Sequence, residues 1–160
     1  MNERNITENG GHMKQGRKIY GRAALLAGLM LAGLCANGAE NPGLQLRVAS
    51  GLQAGPVRDG TLLMSGRVSS GAPHAGFRLR CEGQAGPAQS GRCTLSGQRD
   101  PGHRLRVHLS GPGWQPGPQG DAAVMTYTAD SAAAFRLEAD GDQHIDADTW
   151  TVALSASVLN

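Results

Sequence analysis

The sequence predicts an all-β protein, an immunoglobulin-like β-sandwich one strand short, set behind an export leader. Three observations predict it. Period-two alternation of apolar and polar residues recurs from Leu44 to Val158, where helical periodicity is nearly absent. Turn chemistry built on Gly, Pro and Asp separates the alternating runs. The longest apolar stripe, Trp150 to Val158, comes last, with only Leu159 and Asn160 after it. No later segment is then expected to pair with its outer edge, and a sandwich of this type needs about seven strands.

The first element is the leader. Lys14, Arg17, Lys18 and Arg22 precede fourteen apolar or small residues, Ala23 to Ala36, and the small-residue site Ala36-Asn37-Gly38 follows. This is the layout of a secretory signal peptide, and the run is too short for a spanning helix of ~20 residues. Residues 1–38 are therefore expected to be an N-terminal extension and signal peptide, with Met13 a plausible start, and residues 39–160 one exported domain. A lipid anchor on Cys35 is disfavoured, because Leu34 stands where a small residue is required. Charge divides at the same place. Residues 1–38 carry five Lys/Arg against two acids, +3, and the remainder ten Arg against eleven acids, −1. A near-neutral domain argues against nucleic acid as partner. Export removes it from cytosolic nucleotides, and no cofactor is implied.

The strands follow in order. Leu44, Leu46 and Val48 alternate with Gln45 and Arg47, and Thr61 to Ser69 is a β-leaning, mostly apolar run. Phe77, Leu79 and Cys81 alternate with Arg78, Arg80 and Glu82. Cys93 and Leu95 share one parity, and Leu105, Val107 and Leu109 face away from Arg104, Arg106 and His108. Ala133, Phe135, Leu137 and Ala139 form an inward face, and Trp150, Val152, Leu154, Ala156 and Val158 the final one. Between them lie Arg58-Asp59-Gly60, Gly71-Ala72-Pro73, Asp100-Pro101-Gly102, Gly111-Pro112-Gly113 and Asp140-Gly141-Asp142. The Gly/Pro-rich stretch 111–120 reads as a long loop within one domain.

Cleavage of the leader removes Cys35 and leaves Cys81 and Cys93. An even count in an exported domain reads as a disulfide, with two buried free thiols as the alternative. The intervening Glu82–Arg92 segment, rich in Gly, Pro, Gln and Ser, suggests a hairpin with both sulfurs inward.

Chemistry-bearing patterns are sparse. Asp140, Asp142, Asp146 and Asp148 lack the order and terminal Glu of an EF-hand and read as a turn. His12, His74, His103, His108 and His144 show no metal spacing, and no Gly-x-Ser-x-Gly or Cys/His arrangement is present, so neither a metal site nor an enzyme is expected.

Six segments occur in a suggestive order: Arg58-Asp59-Gly60, Gly66-Arg67, His74-Ala75-Gly76-Phe77, Arg104-Leu105-Arg106-Val107, Gly113-Trp114-Gln115-Pro116 and Ala139-Asp140-Gly141-Asp142-Gln143-His144-Ile145. Together they resemble the AfaD-like minor tip pilins and invasins of the Afa/Dr and aggregative-adherence fimbriae, over about Leu44 to Val158. The resemblance implies a chaperone–usher fimbrial subunit with an incomplete immunoglobulin-like fold, completed by donor-strand complementation. Its implied partners are a periplasmic chaperone, an outer-membrane usher, a major pilin as strand donor and a host-cell receptor. It implies a place at the fimbrial tip, on the cell surface after passage through the periplasm, in adhesion or invasion. The cysteines depart from the family pattern, which places one in the second strand and one near the C-terminus; Val68-Ser69 and Ser155-Ala156-Ser157 hold none.

On this footing the acceptor groove is flanked by Leu44, Leu46 and Val48 on the first strand and by Trp150, Val152, Leu154, Ala156 and Val158 on the last. The competing expectation is that these are ordinary core residues of a complete, self-sufficient periplasmic binding or inhibitor domain. Only Ala39 to Gly43 precede the first strand, with Pro42 among them, so the chain is expected to accept a strand and not to donate one. Candidate receptor contacts are Arg78, Arg80, Arg104 and Arg106, which form one basic stripe if their strands are neighbours, and Trp114 in its Gly-Pro loop. The plainer expectations are a solvated face and a Trp folded back onto the core.

Overall fold

The structure is a computed structural model, and it describes residues 18–24 (backbone course only), 41–82 and 89–160. Strands and turns make up the described residues, with no helix among them. Two five-stranded sheets carry the fold. The first orders β1 (Lys18–Ala24), β12 (Thr149–Leu159), β5 (Gly76–Cys81), β9 (Val124–Tyr127) and β8 (Gln115–Pro116). The second orders β2 (Gly43–Val48), β4 (Leu62–Ser69), β10 (Ala132–Ala139), β7 (Arg104–Ser110) and β6 (Arg92–Ser96). A two-stranded ribbon joins β3 (Gly55–Val57) to β11 (Gln143–Ile145).

The alternation read from the sequence produces this arrangement. Val68, Phe77, Leu79, Val107, Phe135, Leu137, Val152 and Leu154 are fully or almost fully buried between the sheets. Their strand neighbours Arg67, Arg80, Arg106 and Arg136 are exposed. Gly66 is required by packing: the Phe135 ring lies across the position a Cβ would occupy, the usual use of a strand glycine beneath an aromatic. Turns close where glycine takes a left-handed backbone, as at Gly60 (φ 77°) and Gly141 (φ 84°).

Cys81 and Cys93 are disulfide-bonded, with Cα atoms 6.1 Å apart. The expected hairpin is corrected here. Cys81 lies on β5 of the first sheet and Cys93 on β6 of the second, so the bond crosses the core. Inward parity alone is the same for a hairpin and for a cross-sheet staple.

A buried carboxylate fixes the start of β12. Asp148 accepts hydrogen bonds from the backbone N–H groups of Arg99 (2.9 Å), Asp100 (3.1 Å) and Thr149 (2.6 Å), and from His103 Nδ1 (2.9 Å). It ties the β6–β7 turn to β12, where Gly97 also bridges Trp150. Burial opposes ionisation of Asp148, but these hydrogen bonds prevail and hold it well below the usual carboxylate range. The same bond raises the pKa of His103. Of the acidic run considered for calcium, Asp148 is thus consumed in securing a turn.

Candidate functional site

Next to β1 in the first sheet lies β12, eleven residues with a burial rhythm of every second side chain. Trp150, Val152, Leu154 and Ala156 point into the sandwich. On its inner side β12 pairs with β5, Leu154 opposite Cys81 through Leu159 opposite Gly76. On its outer side it pairs antiparallel with β1, from Lys18 opposite Ser155 to Ala24 opposite Thr149. The edge of β12 is therefore closed by seven residues from the expected leader, outside the 39–160 domain. Within residues 41–160, no described strand occupies that edge.

The facing wall is β2, the edge strand of the second sheet. Leu44 is buried, while Leu46 and Val48 are half-buried against the core. Val158, near the end of β12, is likewise half-buried. An apolar cavity of about 30 Å³ lies inside the sandwich, lined among others by Val48 of β2, Leu63 of β4, Leu95 of β6, Leu137 of β10 and Trp150 and Val152 of β12. It is lined without polar atoms. The main-chain groups on the outer side of β12 are paired with β1, and the apolar interior lies behind them.

The proposed receptor contacts fall elsewhere. Arg78 and Arg80 lie on β5 of the first sheet, and Arg104 and Arg106 on β7 of the second. They project from opposite outer faces and form no common stripe. Arg78 is engaged by Asp121 (2.7 Å) and Arg80 by Glu82 (3.0 Å). The Arg78 guanidinium holds the Asp121 carboxyl below its usual range. Trp114 is half-buried: its ring meets Phe135 edge-on at 6.2 Å, and Nε1 donates to the Ala134 carbonyl at 2.8 Å. It closes the core beneath the 111–120 loop.

Comparison with known proteins gives this geometry its context. Residues 53–156 match the family described as the enterobacterial AfaD invasin protein. The chain belongs to that family. A Salmonella adhesin structure, SafD, is similar at 37% identity and TM-score 0.70, covering 76% of this chain and 90% of that one. The Escherichia coli protein AggB is 26% identical over 104 residues, 64% of this chain and 71% of its own length. The minor tip subunit of the E. coli Hda pilus, HdaB, shares the fold at 23% identity and TM-score 0.67, over 72% of this chain and 81% of its own. These relatives are invasins, adhesins and fimbrial subunits, and the all-β, immunoglobulin-like fold expected from the sequence is the fold of this AfaD-family chain.

Proposed function

We propose that this chain is the minor tip subunit of a chaperone–usher fimbria, acting in adhesion to or invasion of host cells. Its site is the β12 edge and the apolar groove between β12 and β2. A periplasmic chaperone would occupy that edge during folding, an outer-membrane usher would pass the subunit outward, and a neighbouring major pilin would donate the strand that replaces the chaperone's. The observation that carries this reading is the pairing of Lys18–Ala24 with Thr149–Ser155. It supports reading the edge as a strand-binding position, with an occupant from the segment that reads as a signal peptide. Family membership and the fimbrial subunits among the relatives support the same reading.

The alternative is a self-contained exported domain that keeps residues 18–24 and closes its own edge. The β1–β12 register favours it on one condition, that the leader is retained. The intact mass of the exported chain separates the two. A mature chain beginning near Ala39, which folds only when a companion pilin's donor strand is fused after Asn160, is the expected result. A chain that retains Lys18–Ala24, or residues 39–160 folding as a stable monomer without an added strand, would overturn the strand-accepting function.

A further inference from the structure

The outer face of the second sheet concentrates arginine. Six of the ten arginines in residues 39–160 project from it: Arg47 on β2, Arg67 on β4, Arg136 on β10, Arg104 and Arg106 on β7, and Arg92 on β6. All six are exposed. The registers put them on one side: Arg47 and Arg136 both oppose Ser65, Gln45 opposes Arg67, Arg136 opposes Ser110, and Arg92 opposes His108. Two of the six are balanced by acids, Arg136 by Glu138 (3.0 Å) and Arg92 by Asp140 (3.1 Å). Among the described residues, Arg47, Arg67, Arg104 and Arg106 have no carboxylate at ion-pair distance. Arg106 Nε donates instead to the Asp140 backbone carbonyl at 3.3 Å.

The other sheet is the internal control. Its outward arginines, Arg78 and Arg80, are each held by a carboxylate. The domain is near neutral as a whole, so this is segregation of charge and not simple excess. The four unpaired arginines fall in two pairs, Arg47 with Arg67 across β2 and β4 and Arg104 with Arg106 on β7, with the Arg136–Glu138 ion pair between them. Strands lie ~4.8 Å apart and same-face neighbours ~6–7 Å apart along a strand. A guanidinium presents a planar fork matched to oxyanions. Two arginine pairs set apart on one face fit a linear chain with repeated oxyanions better than a compact acidic ligand, which would meet only one pair.

We propose that the outer face of the β2–β4–β10–β7–β6 sheet is a docking surface for a sulfated glycosaminoglycan chain, read chiefly by Arg47, Arg67, Arg104 and Arg106. This face is separate from the strand-accepting edge and does not depend on it. The folded full chain is tested on immobilised heparin across a salt series, beside fully desulfated heparin and a polyglutamate surface. Binding to heparin should weaken linearly on a logarithmic salt scale, and Arg67→Gln with Arg104→Gln should lower that slope by about one per arginine removed. Their combined affinity loss should be about tenfold or more at moderate salt. Gln119→Glu with Tyr127→Glu makes the same change in net charge elsewhere, at exposed positions, and should change affinity less than about twofold. Circular dichroism establishes that each variant is folded. Failure of the folded chain to bind heparin at low salt, equal binding to desulfated heparin or polyglutamate, or equal losses in the two double variants would each overturn the proposal.

Discussion

The two edges of the first sheet differ sharply. At one end β8 is two residues long, Gln115–Pro116, both exposed and set in a Gly/Pro-rich stretch. Proline lacks an N–H, and so short a strand offers little for another chain to extend. At the other end β12 runs for eleven residues with alternate side chains buried, and its outer partner is β1. The same sheet is thus blunted on one side and carries a long, paired strand on the other. An exposed edge of β12's length would ordinarily be an aggregation hazard. Its retention makes sense where pairing is the function; Trp150 and Val152 of β12 line an apolar cavity, whereas both residues of β8 are exposed.

Matched substitutions test the contrast most strongly. Leu154 is fully buried on β12, and Leu154→Asp places an unpaired charge in the core, costing about 4 kcal/mol or more. Met125, half-buried on β9 beside β8, should tolerate the same change at about 1 kcal/mol. Urea denaturation of the strand-complemented protein measures both, and comparable losses would remove the asymmetry. The disulfide comes next. It anchors β5, the inner neighbour of β12, to the opposite sheet, and replacing both cysteines by Ala should cost about 2–4 kcal/mol. Hydrogen exchange should then show β5 and β12 losing protection before β9. At the blunt edge, Trp114→Phe deletes the bond to Ala134 while keeping an aromatic lid, and a thermal melt should report about 1 kcal/mol.

Much of this was legible in the residues, for definite reasons. Alternation at Phe77–Cys81, Leu105–Leu109 and Trp150–Val158 located the strands because each buries one face, and periodicity records burial directly. β9 was missed because its inward pair is Val124 and Thr126, and a buried threonine breaks the apolar signal. Periodicity does not say which sheet a strand joins. That is why the Cys81–Cys93 bond was expected in a hairpin, and why Arg78 and Arg80 were grouped with Arg104 and Arg106. The arginines that do share a face are scattered from Arg47 to Arg136, and only the registers through Ser65 and Ser110 assemble them. β1 was likewise hidden within a segment whose composition reads as a leader.

The smallest effect concerns how β12 begins. His103 and Asp148 join the β6–β7 turn to Thr149, so their ionisation should tune the strand-accepting edge and leave β8 unaffected. Two signs set the window. His103 has its pKa raised from 6.5, so its contribution is complete below about pH 6.5 and fades as pH rises through the raised value. Asp148 has its pKa lowered from 3.8, so its contribution is complete above about pH 4 and fades only as pH falls toward the depressed value. The pair therefore works fully between about pH 4 and 6.5. The readout is the difference between the parent and His103→Gln. The parent should lose stability relative to the variant as pH rises from 6 to 9, by less than the disulfide contributes, and protection factors, corrected for intrinsic exchange, should fall at Thr149 and Trp150 while that of Met125 stays unchanged. Parallel pH profiles for the two proteins would mean that the turn is held by the backbone donors to Asp148 alone, with the imidazole a bystander.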